Sequence, residues 1–156
     1  MSRRVVVLEG ADAAGKTTVA EEVLDGWGPE DYVYIHNTSS DAKLPGSLYR
    51  HYKAQLLDAL ERDIPVTVID RSWLSEYVYG AIHRGKPRIT RRQAIRLTTW
   101  ARRHGIELIG MEASLGTRMD RMKRRGEGPD LFYELRIQVR YGNIFRDAAW
   151  KTVSSS

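Results

Sequence analysis

Short apolar runs alternate with helical patterns along this chain, and that alternation predicts an α/β fold. The expected core is a mostly parallel sheet of about five strands with helices on both faces. Two local observations support the class. The apolar run Val5-Val6-Val7-Leu8 leads into Gly10-Ala11-Asp12-Ala13-Ala14-Gly15-Lys16-Thr17, and a helical pattern follows from Thr18. Further on, Val66-Thr67-Val68-Ile69 ends in Asp70-Arg71. Ligands of open parallel sheets bind beyond the carboxyl ends of the strands, so both segments fall where chemistry is expected.

The elements follow in order. Strands are predicted over 5–9, 32–36, 66–70 and 106–112, with a short last strand over 150–153. Helices are predicted over 16–27, 47–62, 72–83, 90–103, 115–125 and 131–145. Gly26, Gly28 and Pro29 close the first helix, and Gly105 closes the one over 90–103. Thr90-Arg91-Arg92-Gln93 has the spacing of a capping box. Leu48, Tyr52 and Leu56 share one helix face and read as core before they read as base-stacking. No repeat or long linker interrupts residues 1–156, which read as one domain. Ser154-Ser155-Ser156 reads as a frayed tail.

Composition sets the outer limits. With 42% hydrophobic and 29% charged residues, the 156-residue chain has the balance of a globular domain. It has no cysteine, which excludes disulfides, thiolate zinc sites and a cysteine nucleophile. No apolar stretch approaches a membrane span. Met1-Ser2-Arg3-Arg4 runs straight into the first strand and leaves no room for a signal peptide, so the expected location is cytoplasmic, in the host if the chain is viral. The net charge of +5 is uneven, because residues 84–125 carry 13 Lys/Arg against 3 Asp/Glu. That basic block suits a surface for phosphates, on nucleotides or on DNA. Codon composition explains it equally well, since 19 of the 25 basic residues are Arg.

The segment 10–17 reads G-x-x-x-x-G-K-T, the phosphate-binding loop of P-loop NTPases, between a strand and a helix as the motif requires. Gly10 and Gly15 let the backbone turn tightly and bring N–H groups near phosphate oxygens. Ala13, Ala14, Lys16, Thr17 and Thr18 complete the expected ATP contacts, at the positive end of the following helix. Lys16 is expected to reach the β/γ-phosphates, and Thr17 to offer its hydroxyl to Mg²⁺.

Asp70 ends an apolar strand, the position at which an acid helps hold Mg²⁺. The plainer alternative makes it the cap of the next helix. Arg71 follows, and a guanidinium there suits an acceptor that itself carries phosphate. Arg118, Arg121, Lys123, Arg124 and Arg125 crowd the end of one helix ahead of Gly126-Glu127-Gly128-Pro129. Cations suit a helix C-terminus, yet so many within two turns repel one another unless an anion is near. The segment 121–130 therefore reads as a mobile lid that closes over phosphates.

Together these segments resemble the thymidylate kinase branch of the nucleoside monophosphate kinases, from about Arg4 to Tyr141. The resemblance implies that Asp12 contacts the acceptor sugar. It implies that Arg71, within Asp70-Arg71-Ser72-Trp73-Leu74-Ser75, holds the acceptor phosphate, with Ser75 and Tyr79 beside it. The P-loop position that carries a catalytic Arg in one branch is Ala13 here. The resemblance thus points to the lid, with Arg125 and Lys123 as catalytic groups beside Lys16 and Asp70, and Arg121 nearer the donor base. Three departures stand out. His36-Asn37-Thr38-Ser39-Ser40-Asp41 replaces an Arg-Glu-Pro-Gly-Gly segment, Gly80 stands in place of a Gln, and the family's final helix has no counterpart. The compact form resembles bacteriophage kinases.

The implied activity is Mg²⁺-dependent transfer of the γ-phosphoryl of ATP to a deoxynucleoside monophosphate, thymidylate-like, by a monomer or homodimer. An alternative acceptor is a hydroxymethylated pyrimidine within DNA, held through the basic block. A further alternative is a non-catalytic nucleotide-binding module. Of Trp73, Tyr77 and Tyr79, one is expected to line the acceptor pocket and the others to pack. The four histidines show no ligand spacing and read as solvated or hydrogen-bonded.

Overall fold

The computed structural model describes residues 3–38 and 44–155. Five strands form one sheet: β1 (Arg4–Glu9), β2 (Tyr32–His36), β3 (Val66–Asp70), β4 (Glu107–Glu112) and β5 (Lys151–Ser154). Their order is β2-β3-β1-β4-β5, and every pairing is parallel. All carboxyl ends therefore point to one edge, with β1 at the centre. The sheet, expected to be mostly parallel, is parallel throughout.

Period-2 alternation splits β1 between two layers. Val6 and Leu8 pack with Val66, Val68, Ala20 and Val23, beneath α1 (Lys16–Leu24). Val5 and Val7 face the larger core beneath α2 (Leu48–Glu61), α3 (Trp73–Arg84), α4 (Arg91–Arg103) and α6 (Leu131–Asp147). Leu48, Tyr52 and Leu56 lie in that core, as their spacing indicates. In its middle the Thr98 hydroxyl accepts from Trp73 Nε1 at 3.2 Å and Trp150 Nε1 at 2.9 Å, and it donates to the Ala94 carbonyl. One threonine thus ties α3, α4 and the approach to β5 without leaving an indole N–H unpaired.

The helix boundaries follow local chemistry. Thr90 and Gln93 form both halves of the capping box on α4. Side chains of Ser47, Ser72, Ser114 and Asp130 cap α2, α3, α5 (Leu115–Arg124) and α6. Ser72, not Asp70, is therefore the cap of α3. Helix α1 alone starts at a glycine, Gly15, with no side-chain cap. It ends at Leu24, three residues before the expected end, because Gly26 turns left-handed at φ 82° just after Asp25.

The tail departs from its expected frayed state. Ser154 closes β5, and the Ser155 N–H donates to the Glu112 carbonyl at 2.8 Å, extending the β4 pairing. No described helix is long and apolar enough to cross a membrane.

Candidate functional site

The loop over 10–15 leaves the carboxyl end of the central strand, and its two glycines are sterically required. Gly10 lies at φ 150°, where a Cβ would sit 2.6 Å from the Met111 carbonyl. Gly15 lies at φ 104° with the Ser155 hydroxyl 3.0 Å from any added Cβ. Ala13 also takes a positive φ, 63°. Without a side-chain cap, the first N–H groups of α1 turn toward this loop, which is the arrangement that receives anions. Thr17 and Thr18 occupy its first turn.

Lys16 crosses the loop. Its ammonium donates to the carbonyls of Gly10 at 2.9 Å and Ala11 at 3.3 Å. Burial, helped by the neighbouring Arg71 cation, lowers its pKa to about 8, against the opposing pull of Asp70, Glu9 and Asp12. A polyanion arriving here would meet a desolvated cation whose pKa it would raise.

At the end of β3 the chain turns sharply. Arg71 sits at φ 72°, a left-handed conformation that costs a non-glycine residue free energy. Its N–H donates to the Leu8 carbonyl at 2.9 Å, which fixes the turn against β1. The guanidinium then runs back over the loop. It pairs with the Asp12 carboxylate, donates to Ser75 Oγ at 3.1 Å, and stands 5.2 Å from the Tyr79 ring centroid. Tyr79 accepts the Asp12 N–H at 3.2 Å. Asp12, Arg71, Ser75 and Tyr79 are thus one cluster, on the wall of a cleft of about 290 Å³. Of the three aromatics after Arg71, Tyr79 lines the cleft; Trp73 is core, and Tyr77 lies under the Arg140 guanidinium.

A buried carboxylate that the sequence reading left without a role holds this corner together. Glu9 is fully buried and accepts six hydrogen bonds: from the N–H groups of Gly10, Ser72 and Ser75 and the hydroxyls of Ser72, Ser75 and Tyr141. It joins β1, the start of α3 and α6 at a single point. The signal available in the sequence was its place: a charged residue directly after the apolar run Val5-Val6-Val7-Leu8.

Asp70 shares a sheet face with Val66 and Val68, on the α1 side. Its Oδ2 accepts from the Tyr34 hydroxyl and faces His36 Nδ1 at 3.0 Å, while Oδ1 is buried with no hydrogen-bond partner. An orphaned carboxylate oxygen on the same face as the start of α1 fits a hard cation. Among the described residues no three His, Asp or Glu side chains gather as a metal cluster. Tyr34 and His36, both from β2, are contacts that the sequence reading did not assign. His36, His83 and His104 are each within hydrogen-bond reach of a partner, whereas the buried Nε2 of His51 has none.

The basic helix α5 resolves into two parts. Arg118 is not a lid residue. It is buried, pairs with Glu134 at 3.1 Å, and donates to the Asp12 carbonyl at 2.9 Å and Gln138 Oε1 at 2.9 Å. Arg121 donates to the Ala13 carbonyl at 2.8 Å and to Ser155 Oγ at 3.0 Å, and Ser155 Oγ donates to the Ala14 carbonyl at 2.7 Å. Both arginines brace the loop from below. Lys123, Arg124 and Arg125 are exposed at the helix end, with Arg125 facing Glu127 at 3.4 Å. Internal partners therefore relieve much of the repulsion that suggested a bound anion. Lys123 and Arg125 are not brought to the loop in this conformation, and Arg121 is.

The basic block thins out in the same way. Arg84, Arg88, Arg91 and Arg102 are engaged with Glu76, the Gly46 carbonyl, Asp147, and the Ala148 and Ala149 carbonyls. Residues 39–41, in the segment that departs from the thymidylate kinase pattern, lie outside the described residues.

No protein-family model and no curated protein matches the chain. Among solved structures, the fold is shared with the YorR protein of Bacillus subtilis, crystallised in complex with phosphorylated GDP. The two superpose with a TM-score of 0.77 at 22% identity, over 97% of this chain and 85% of YorR. The α/β architecture with a five-stranded parallel sheet is thus one that a nucleotide-bound protein also uses.

Proposed function

We propose that this protein is a P-loop kinase that transfers the γ-phosphoryl of ATP to a deoxynucleoside monophosphate. The observation that carries the reading is the meeting of two anion-suited devices at the carboxyl ends of β1 and β3. The uncapped start of α1, with Lys16, faces the same corner as the Arg71 guanidinium, whose Nη1 lies 3.5 Å from the Gly10 carbonyl. One device suits a donor polyphosphate and the other an acceptor phosphate. A simple nucleotide binder needs only the first. The fold shared with YorR, a protein crystallised with phosphorylated GDP, supports a nucleotide as ligand.

In this reading the loop N–H groups and Lys16 hold the donor phosphates, with Ala13, Ala14 and Thr18 alongside. Arg71 releases Asp12 and grips the acceptor phosphate, and Asp12 turns to the acceptor sugar. Ser75 keeps the guanidinium aimed, and Tyr79 backs it. Thr17 and Asp70 would hold Mg²⁺, which neutralises phosphate charge when bound. Arg121 lies beside the donor base, and Lys123 and Arg125 close from the lid over 121–130. Catalysis is then positioning plus charge stabilisation, as phosphoryl transfer requires.

The test uses γ-labelled ATP and Mg²⁺. Free deoxynucleoside monophosphates are offered in one reaction and hydroxymethyluracil-containing DNA in another. Label in the nucleotides is expected. Label in DNA alone would move the acceptor to a base within a polynucleotide. ATP binding with no transfer to either would leave a binding module.

A further inference from the structure

The far end of the acceptor cleft carries an ion pair of unusual construction. Glu76, Gly80 and Arg84 stack on one face of α3, two turns in all. The Arg84 guanidinium reaches back over Gly80 to the Glu76 carboxylate, and all three residues line the cleft. A Cβ at position 80 would overlap that carboxylate and crowd Arg84 Nη2 to 2.6 Å. Gly80 is therefore what lets the pair lie flat against the helix. Only 3% of the Glu76 side chain is exposed, against 41% of Arg84.

The neighbouring polar groups are engaged elsewhere. Asn37 exchanges amide hydrogen bonds with Gln55 at 2.9 Å and donates to the Arg71 carbonyl at 2.8 Å. His83 is bonded to the Tyr133 hydroxyl and stacks on its ring. Thr38 and Tyr52 have contacts of their own. Glu76 and Arg84 engage each other through a single nitrogen of Arg84. The remaining guanidinium N–H groups can meet a ligand directly, and the Glu76 carboxylate becomes reachable when the more exposed Arg84 side chain swings aside.

We infer that the Glu76–Arg84 pair reads the acceptor base and selects one with an exocyclic amino group over thymine or uracil. The inference rests on the kinase reading above for the place of the acceptor, with its phosphate at Arg71 and its base toward α3. A carboxylate beside a guanidinium offers acceptors next to donors. An amino-bearing base presents the reverse. Guanine matches most fully, since N1–H and the 2-amino group face two carboxylate oxygens while O6 or N7 accepts from the guanidinium. Cytosine and adenine offer an amino donor beside a ring-nitrogen acceptor. Thymine and uracil offer one N–H between two carbonyls. A carboxylate that takes this N–H sets its second oxygen against a keto oxygen. Selection by an unmatched polar contact of this kind is strong.

Calorimetry with dGMP, dCMP, dAMP, dTMP and dUMP tests it, with transfer from labelled ATP as a separate readout. The amino-bearing nucleotides, dGMP first, should bind about 10–100-fold more tightly than dTMP and dUMP, the range for one bidentate base contact. Glu76→Gln, whose amide presents one donor and one acceptor, should narrow that ratio about tenfold or more. Gly80→Ala, which displaces the carboxylate without replacing it, should narrow it likewise. Preference for dTMP or dUMP, equal binding of all five, or a ratio unmoved in both variants would overturn the assignment. Discrimination in binding with no transfer would keep this assignment and sink the kinase reading. Transfer that favours dTMP would do the opposite.

Discussion

In the proposed kinase donor binding turns on Lys16, and the environment of this residue makes a signed prediction. Its folded pKa of about 8 lies below the ordinary lysine value of 10.5. The folded chain thus holds the proton less firmly than the unfolded chain, so this group adds stability as pH rises from 8 to 10.5. Replacing it with an apolar side chain should stabilise the free protein at pH 7. An upper bound of about 3 kcal/mol follows from the shift, lessened by the hydrogen bonds to Gly10 and Ala11 that are lost. Lys16→Met should therefore melt higher than the parent at pH 7, by a margin that shrinks at pH 9.5, while losing ATP binding. Equal melting at both pH values would show that the ammonium is not desolvated. The same shift predicts that ATP binding takes up a proton at pH 8.5, seen as a calorimetric enthalpy that depends on the buffer's ionisation heat.

Arg71 makes the complementary prediction for the acceptor. Arg71→Ala should raise acceptor KM by about 10²-fold or more, the loss expected when a charge-assisted bidentate contact goes, and leave ATP affinity nearly unchanged. The partition between the two substrates is the informative part. A variant that lost both equally would mark Arg71 as a structural brace of the loop.

At the scale of elements, Glu9 and Arg118 hold the loop from two sides. Glu9 binds β1 to α3 and α6, and Arg118 binds α5 to α6 and to the Asp12 carbonyl. Truncating one partner of a buried ion pair leaves the other charge unpaired, which costs about 3–5 kcal/mol. Arg118→Ala should lower the unfolding free energy by that amount in denaturant titration. A loss below about 1 kcal/mol would show that the Arg118–Glu134 pair is solvated rather than buried. The sequence made most of this level legible. Alternating apolar runs marked the strands, and Thr90 with Gln93 marked the start of α4. What stayed hidden was pairing across long separations. No spacing rule tells that Arg118 meets Glu134 rather than solvent, or that Ser155 closes onto Ala14. Such contacts depend on how β4, β5, α5 and α6 stack, and a local pattern carries no record of that.

The sheet gathers the carboxyl end of every strand on one edge, and the glycine loop and the Arg71 turn share that edge because the sheet is wholly parallel. Parallel order was the expectation that position along the chain could support, since β-α alternation permits little else. The charge of the 84–125 block illustrates the limit of composition. Its sum is read directly from the sequence, but the share engaged by internal partners is visible only in the fold. With Arg84, Arg88, Arg91, Arg102, Arg118 and Arg121 all so engaged, polynucleotide binding should be weak. It should also show a log-log salt slope far shallower than that of a protein making 6–10 phosphate contacts.

The central claim is that the glycine loop and the Arg71 cleft are halves of one two-substrate site. An adenosine–deoxynucleoside pair joined by five phosphates would span both halves at once, so linking converts the second contact into an intramolecular one. Titrated against the protein, the best such compound should bind at least about 10²-fold more tightly than ATP or the free monophosphate. Lys16→Met and Arg71→Ala should each abolish that advantage. Affinity no better than that of ATP alone, or an advantage that survives Arg71→Ala, would contradict the account.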